Sequence, residues 1–396
     1  MPRSHSRQAT PKRCDVTKSV LPGTSPEKGS NARFSWGMEA QHTNNIRIPQ
    51  LRVLLNTACG KRCRYCRPSG EASHQVQRDQ QATPDELLEW VRVLVCAGVR
   101  DVRLTGGEPA LHPLGELVRL VRETKAMGVP RLTLVTRNGR IASALAALKC
   151  AGLDCITFSL DTLDPVRWCR ICGISECDVG EHATLLDAVL LAHEAGLPVS
   201  LNCVLLADTS AAEFFGLLEF AAKVGASVKV EELIRDVGMN GAAGAELHAN
   251  PEHLAAMVRA QASSTWVTTP AGGLGHPMDN HRLPSGVTVT WKQFAKGACY
   301  GTDCHDCADF PCDDALMALR LLPDGRLQTC LKRDGNHLDL GAALRQGGDE
   351  ADRMVRRALS VYATATRYEH ADIERLRARR AWAPATQVLY AMEAHV

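Results

Sequence analysis

The chain has 396 residues, 45% of them hydrophobic and 23% charged, the balance of an ordinary globular protein with room for one large core and an appendage. A net charge of +2 argues against a dedicated nucleic-acid or membrane surface, and the absence of any long uninterrupted apolar run predicts no membrane span. The amino terminus is basic but has no apolar stretch, so it does not read as a secretory signal, and 16 cysteines in a chain this large point to metal or redox chemistry in a reducing, cytoplasmic compartment.

Residues 1–45 are rich in Ser, Pro, Gly, Lys and Arg without an apolar period, the composition of a disordered basic tail, and its Cys14 reads as a bystander. Residues 46–240 alternate short apolar runs with amphipathic stretches. The expected strands are Leu51–Leu55, Asp101–Thr105, Arg131–Thr136, Cys155–Ser159, Val199–Leu205 and Ser227–Leu233. The expected helices are Pro84–Ala97, with Thr83 as its cap, Leu114–Met127, Ile141–Ala151, His182–Ala195 and Ala211–Val224. This order predicts repeated βα units and an α/β fold around a parallel sheet, with too few strands to close an eight-stranded barrel. Residues 239–298 read as irregular. Residues 241–345 carry a second group of cysteines (Cys299, Cys304, Cys307, Cys312, Cys330) and a hairpin, Ala318–Gln328, turning at Pro323-Asp324-Gly325. Residues 346–396 are helical in pattern and rich in arginine.

The most informative run is Asn56 to Cys66, where Cys59, Cys63 and Cys66 stand in a C-x3-C-x2-C spacing directly after the first strand. A loop leaving a strand can set three thiolates on three corners of a [4Fe–4S] cube. Such cubes usually take four cysteines, so three leave one iron open for a small molecule. A zinc site is the bland alternative, but structural zinc takes four ligands and this is not one of its usual spacings. Thr105-Gly106-Gly107-Glu108-Pro109 then follows the second strand.

Together these two motifs resemble the radical SAM superfamily. The resemblance implies an open, partial (β/α)6 barrel with its chemistry at the C-terminal edge of the strands. It implies that S-adenosylmethionine chelates the open iron, with Gly106 to Pro109 at its amino group. Electron transfer would then cleave the sulfonium to a 5′-deoxyadenosyl radical. From Ile46 onward the order of features resembles the molybdenum-cofactor GTP 3′,8-cyclase family: both motifs, Asn138-Gly139, Ser159-Leu160-Asp161, Asp236-Val237-Gly238 and the hairpin before Cys330. That likeness implies S-adenosylmethionine contacts from Tyr65, Gly106, Gly107, Glu108, Asn138, Ser159 and Arg235. It implies substrate contacts from Arg52, Arg103, Arg137, Ser200 and Arg320, and a second [4Fe–4S] cluster near the C-terminal cysteines.

The departures bear on substrate. The family's second cluster uses three cysteines in C-x2-C-x13-C; here Cys304, Cys307, Cys312 and Cys330 offer a four-cysteine set, as in twitch and SPASM extensions, with Cys299 able to replace one of them. Ser200 and Ala318 replace a family lysine and arginine, Arg137 and Arg235 replace a threonine and a methionine, and the chain ends Ala394-His395-Val396 where the family ends in Gly-Gly. Lost cations weaken phosphate binding, so GTP is disfavoured and a different small anion, a nucleotide or nucleoside in cofactor or natural-product biosynthesis, is expected. Cyclisation, C–C bond formation and rearrangement all remain open. The implied partners are that substrate and a one-electron donor such as flavodoxin or ferredoxin. The alternatives are a maturase of ribosomal peptides, a GTP 3′,8-cyclase, and a non-catalytic iron–sulfur sensor. Cys169, Cys172 and Cys177 repeat the spacing of Cys304, Cys307 and Cys312 and read either as core thiols or as a third metal site. His276, His281 and His305 are candidate ligands or proton carriers near the second group.

Overall fold

The computed structural model describes residues 47–66, 81–234, 246–332 and 334–381. The basic tail, Arg235 with Asp236-Val237-Gly238, and the chain end at Val396 lie outside the described residues. The described residues belong to one compact unit.

The core alternates strand and helix: β1 (Gln50–Leu54), α1 (Pro84–Cys96), β2 (Asp101–Thr105), α2 (Leu114–Ala126), β3 (Arg131–Thr136), α3 (Leu145–Cys150), β4 (Cys155–Ser159), α4 (Pro165–Cys172), α5 (Val179–Glu194), β5 (Val199–Leu205), α6 (Ala211–Lys223) and β6 (Ser227–Glu232). Local chemistry fixes the ends. Thr83 and Glu86 make a reciprocal capping box at the start of α1. The helix expected from Ile141 begins instead as a 3-10 turn, Gly139–Ala144, that runs into α3. Helix α4 was not foreseen. Asp164 caps it by accepting from Val166 and Arg167 N–H, Pro165 opens it, and Gly173 ends it in the left-handed region.

The reading of residues 239–298 as irregular is corrected by the structure, which places α7 (Glu252–Gln261), β7 (Ser264–Thr268), β8 (Met278–Arg282) and β9 (Thr288–Lys292) there. The Gly, Pro and His residues of 270–277 belong only to the connection between β7 and β8. The β-branched and aromatic residues of Ser264–Thr268 and Thr288–Lys292 are the strand signal that those glycines obscured. Beyond lie β10 (Ala298–Tyr300), α8 (Thr302–His305), β11 (Ala318–Leu321), β12 (Arg326–Gln328), β13 (His337–Asp339), α9 (Leu340–Gln346), α10 (Gly348–Ala363), β14 (Thr366–Tyr368) and α11 (His370–Ala381). The expected hairpin is β11–β12. Its turn glycine, Gly325, has φ +84° and presses its Cα against the Trp90 ring of α1, which leaves no room for a side chain.

One 12-stranded sheet runs in the order β13-β12-β11-β1-β2-β3-β4-β5-β6-β9-β8-β7. Strands β1 to β6 are parallel neighbours, as expected. The structure adds a parallel strand at each flank, β11 beside β1 and β9 beside β6. The partial barrel therefore has eight parallel strands, closed off by antiparallel hairpin partners on both sides.

Parallel sheets covered on both faces are apolar on both; this one is not. Its outer face is apolar and packs Val102, Leu104, Ile156, Phe158, Leu201 and Val228 against the helices. Its inner face carries Gln50, Arg52, Asp101, Arg103, Ser200, Asn202, Lys229 and Thr290, which line a cavity of about 420 Å3. The alternation of strand side chains sorts one set to the core and the other to the barrel interior. Among the described residues no helix is long and apolar enough to cross a membrane.

Candidate functional site

The three-cysteine loop is anchored by the glycine motif. Gly107 N–H donates to the Asn56 carbonyl and Glu108 N–H to the Ala58 carbonyl, each at 2.8 Å, while Asn56 Nδ2 returns a bond to the Glu108 carbonyl at 3.0 Å. A β-carbon on Gly107 would run into the Ala58 carbonyl, so the two loops approach as closely as backbone allows. The Glu108 side chain is buried and taken up by protein donors: Ala110 N–H at 2.9 Å, Arg137 N–H at 2.8 Å and the Thr136 hydroxyl. Burial raises its pKa, against those three hydrogen bonds. Its carboxylate thus braces the loop to the end of β3. Asn138 uses its side-chain oxygen to cap the following turn at Arg140 N–H, 2.9 Å away.

Tyr65, between Cys63 and Cys66, belongs to a buried polar group. Its hydroxyl donates to Asp161 Oδ2 at 2.7 Å, Arg137 Nη1 reaches the same oxygen at 2.7 Å, and the other Asp161 oxygen accepts from Val204 N–H at 2.9 Å. Arg137 Nη2 also donates to the Tyr65 hydroxyl, and its guanidinium lies 5.6 Å from the Tyr65 ring centroid. Arg137, expected among the substrate contacts, is engaged by these partners. Burial alone would pull its pKa down; Asp161 and the neighbouring Tyr65 and Cys63 hold it well up.

Tyr65 and Cys66 open onto a cavity of about 260 Å3 that Arg52, Arg103 and Arg320 also line. These arginines form a row in the sheet: Arg320 pairs in register with Arg52, and Arg52 with Arg103. Three adjacent guanidiniums in a protein interior are costly without a counter-charge. Burial, followed by repulsion from Arg320 and Arg103, brings Arg52 down to about 9. Burial lowers Arg103 as well. The same cavity is lined by Glu231 and Lys292, 3.6 Å apart, and Glu231 is also paired with Lys229 of the larger interior cavity, 2.5 Å away. Burial works to raise Glu231, but the two lysines hold it far below the carboxylate range. Burial brings Lys229 down to about 8 despite that partner. Ser200 lies on the wall of the larger interior cavity, and Ser159 faces the barrel interior opposite Asn202 in register.

Lys229, Glu231 and Lys292 were missed by sequence reasoning. The signal was there for β6, where Ser227-Val228-Lys229-Val230-Glu231 alternates polar with apolar; Lys292 could not be found while β9 was unrecognised.

Cys304, Cys307, Cys312 and Cys330 converge on one cavity of about 50 Å3 beside Tyr300 and Phe310. Backbone turns set their spacing, with Cys307 N–H donating to the Cys304 carbonyl at 3.0 Å and the Tyr300 hydroxyl to the Cys312 carbonyl at 2.6 Å. Among the described residues no three His, Cys, Asp or Glu side chains gather around a centre the size of one ion. Cys299 lies elsewhere: it is buried, with its Sγ 3.5 Å from the Gly273 carbonyl. His276 is fixed between the carbonyls of Gly297 and Asp313, and His305 meets the Tyr368 hydroxyl at 2.9 Å. Cys169 and Cys172 are buried thiols on α4, while Cys177 is exposed.

Residues 53–221 match the family model of the radical SAM superfamily. A GTP 3′,8-cyclase of Aquifex aeolicus is 33% identical over 189 residues, which are 48% of this chain and 57% of that protein. A GTP 3′,8-cyclase of Xanthomonas campestris is 29% identical over 325 residues, 80% of this chain and 88% of that one. A crystal structure of Streptococcus suis SuiB bound to S-adenosylmethionine superposes with a TM-score of 0.51 at 12% identity, covering 74% of this chain and 63% of that chain. At that identity the likeness concerns the fold alone.

Proposed function

We propose that this chain, whose residues 53–221 match the radical SAM superfamily, is an enzyme that carries out radical chemistry on a small anion seated against Arg52, Arg103 and Arg320. The observation that carries this reading is the arginine row, three cations adjacent in the sheet register inside the cavity that Cys66 also lines.

Cys59, Cys63 and Cys66 would hold the S-adenosylmethionine-binding [4Fe–4S] cluster. The donor set fits: the neighbouring Cys172 thiol, with Arg137 and Lys61 nearby, holds the Cys63 thiol below its usual range, toward the thiolate that a ligand must be. When bound, the cluster supplies the electron that cleaves S-adenosylmethionine to the 5′-deoxyadenosyl radical. Gly106 and Gly107 give the ligand's amino group a close backbone approach, and Glu108 holds that backbone still. Tyr65 is fixed beside the cavity by Asp161 and Arg137. Arg52, Arg103 and Arg320 neutralise and orient the substrate anion, with Lys292 lining the same cavity.

Cys304, Cys307, Cys312 and Cys330 would hold the auxiliary [4Fe–4S] cluster. Four thiols spread round a cavity with no ion-sized centre suit a cube better than a single zinc ion. Four ligands would close that cluster, so the substrate would be held by the arginine row and not by an open iron. The electrons would come from a flavodoxin or ferredoxin, and a reducing cytoplasm suits both clusters. The second reading, GTP 3′,8-cyclisation, is favoured by the names of the relatives and opposed by Ser200 and Ala318.

Anaerobically reconstituted protein, incubated with reductant, S-adenosylmethionine and a panel of nucleotides, nucleosides and other small anions, tests the proposal by mass spectrometry. 5′-Deoxyadenosine formed in step with a new product from one of the anions supports it. A protein that releases no 5′-deoxyadenosine, or that turns over an uncharged substrate indifferently to Arg52→Ala and Arg320→Ala, sinks it.

A further inference from the structure

Cys172 is outside the three-cysteine motif yet packed against it. It is fully buried at the C-terminal end of α4. The cysteine loop is stitched to that end by backbone: Arg62 N–H donates to the Cys172 carbonyl at 2.8 Å and Arg64 N–H to the Ile171 carbonyl at 3.0 Å. A β-carbon on Gly173 would strike the Arg62 carbonyl, so the seam is as tight as the chain permits. Cys63 lies between the two residues so stitched, which sets the Cys172 thiol against it. From the other side Arg137 Nη1 donates to Cys172 Sγ at 3.5 Å.

The direction of these bonds follows from what each group can give. A guanidinium has donors and no acceptor, so Arg137 must donate to the Cys172 sulfur. That sulfur then has its own S–H to offer, and the sulfur it faces is Cys63. Arg137 is in turn held by Asp161 at 2.7 Å and by the Tyr65 hydroxyl, which fixes the guanidinium beneath the pair. The chain Asp161–Arg137–Cys172–Cys63 therefore ends on one sulfur of the motif.

We propose that Cys172 is a positioning residue for the S-adenosylmethionine-binding cluster: it donates its thiol hydrogen to the Cys63 sulfur and, oriented by Arg137, raises the reduction potential of the cluster that Cys63 ligates. This rests on the reading of Cys59, Cys63 and Cys66 as cluster ligands. An electron entering an iron–sulfur cluster places part of its charge on the sulfurs, and a hydrogen bond to a ligand sulfur stabilises the reduced state more than the oxidised one. No bond is formed or broken in the step. The electron comes from the external donor, and the proton stays on Cys172.

The test is an EPR-monitored redox titration of anaerobically reconstituted full-length protein, following the iron–sulfur signal that S-adenosylmethionine perturbs, in wild type, Cys172→Ala and Cys172→Ser. Iron and sulfide content is measured on each. Cys172→Ala is expected to assemble the cluster and shift its midpoint to more negative potential. Cys172→Ser, which keeps a donor hydrogen at that position, is expected to recover most of the shift. An unchanged midpoint in Cys172→Ala overturns the proposal, as does a serine variant no better than alanine. Loss of the cluster in Cys172→Ala also overturns it, by making Cys172 a requirement for assembly. A wild-type protein in which S-adenosylmethionine perturbs no iron–sulfur signal overturns the reading of the site itself, a result distinct from all of these.

Discussion

Arg320 of β11 stands directly beside Arg52 of β1 in the parallel register, so two guanidiniums from opposite ends of the chain are neighbours inside the barrel. Each bond from a cation to an anionic substrate contributes about 1.5–3 kcal/mol, which is roughly 10- to 150-fold in affinity. Arg320→Ala is therefore expected to raise the KM for the proposed anionic substrate by that factor or to abolish turnover. Because unliganded neighbours repel, the same variant should leave the melting temperature of the free protein unchanged or raise it. Calorimetric binding and thermal unfolding read both effects; a lowered melting temperature with unaltered KM would make Arg320 structural.

GTP is expected not to be cyclised. Ser200 on the wall of the interior cavity and Ala318 on β11 are uncharged where the resemblance to the cyclase family implies cations. Two such losses together weaken triphosphate binding by about a hundredfold or more. Product analysis after incubation with GTP, and complementation of a strain lacking the cyclase, check this. Efficient 3′,8-cyclisation would show that the remaining arginines suffice.

Iron and sulfide analysis is expected to find about eight of each per chain, from two cubes. Joint replacement of Cys59, Cys63 and Cys66 by alanine should leave about four and end 5′-deoxyadenosine formation. Joint replacement of Cys304, Cys307, Cys312 and Cys330 should also leave about four. Replacement of Cys299, whose Sγ lies by the Gly273 carbonyl, should leave all eight.

Glu108→Ala is expected to destabilise the protein, because it strands the buried Ala110 and Arg137 N–H groups and the Thr136 hydroxyl. Each unsatisfied donor costs about 1–3 kcal/mol. Glu108→Gln keeps an acceptor and should be milder. Gly107→Ala should spare the fold but displace the cysteine loop through the Ala58 carbonyl, and so lower iron content. Unfolding curves and iron assays separate the two.

Anion affinity is expected to fall as pH rises above about 8, where Lys229, lowered to about 8 by burial, stops neutralising Glu231 on the cavity wall and Arg52, lowered to about 9, then gives up its proton. The sign for stability is opposite. A lysine whose folded pKa is depressed below its unfolded 10.5 lets the unfolded chain bind more protons between the two values, so this group's contribution to stability rises with pH across that window. Lys229→Met should weaken both trends between pH 8 and 9 and leave the later part that Arg52, lowered to about 9, contributes, measured by calorimetric titration and denaturant unfolding at pH 7 to 10.

The six core strands could be read almost to the residue because each joins a β-branched, apolar outer face to short turns, as in Asp101–Thr105 and Val199–Leu205. The two motifs could be read because their spacing is itself the signal. Strand pairing could not: nothing local to Arg320 says that β11 will lie beside β1, or to Lys292 that β9 will lie beside β6. Helix α4 escaped because its eight residues include two arginines and two cysteines around one Trp, too short for a convincing period. The polar network of Tyr65, Asp161 and Arg137 escaped because its members come from three separate segments and only the folded sheet brings them together.

The strand β11 has a consequence for how the enzyme is made. Until residues 318–321 leave the ribosome, β1 is an open edge of the growing sheet, its backbone donors and acceptors unanswered on that side. Unpaired edges invite association with other chains, and here the exposure lasts for most of synthesis. Once β11 docks, the Tyr362 hydroxyl lies within 2.8 Å of the Ala318 carbonyl and 2.9 Å of the Thr329 carbonyl, latching the late hairpin from its far side. A chain truncated between Leu233 and Ala318 would thus be an aggregation hazard rather than a weakened enzyme, and a chaperone that shields β1 during translation would raise the yield of the full-length protein.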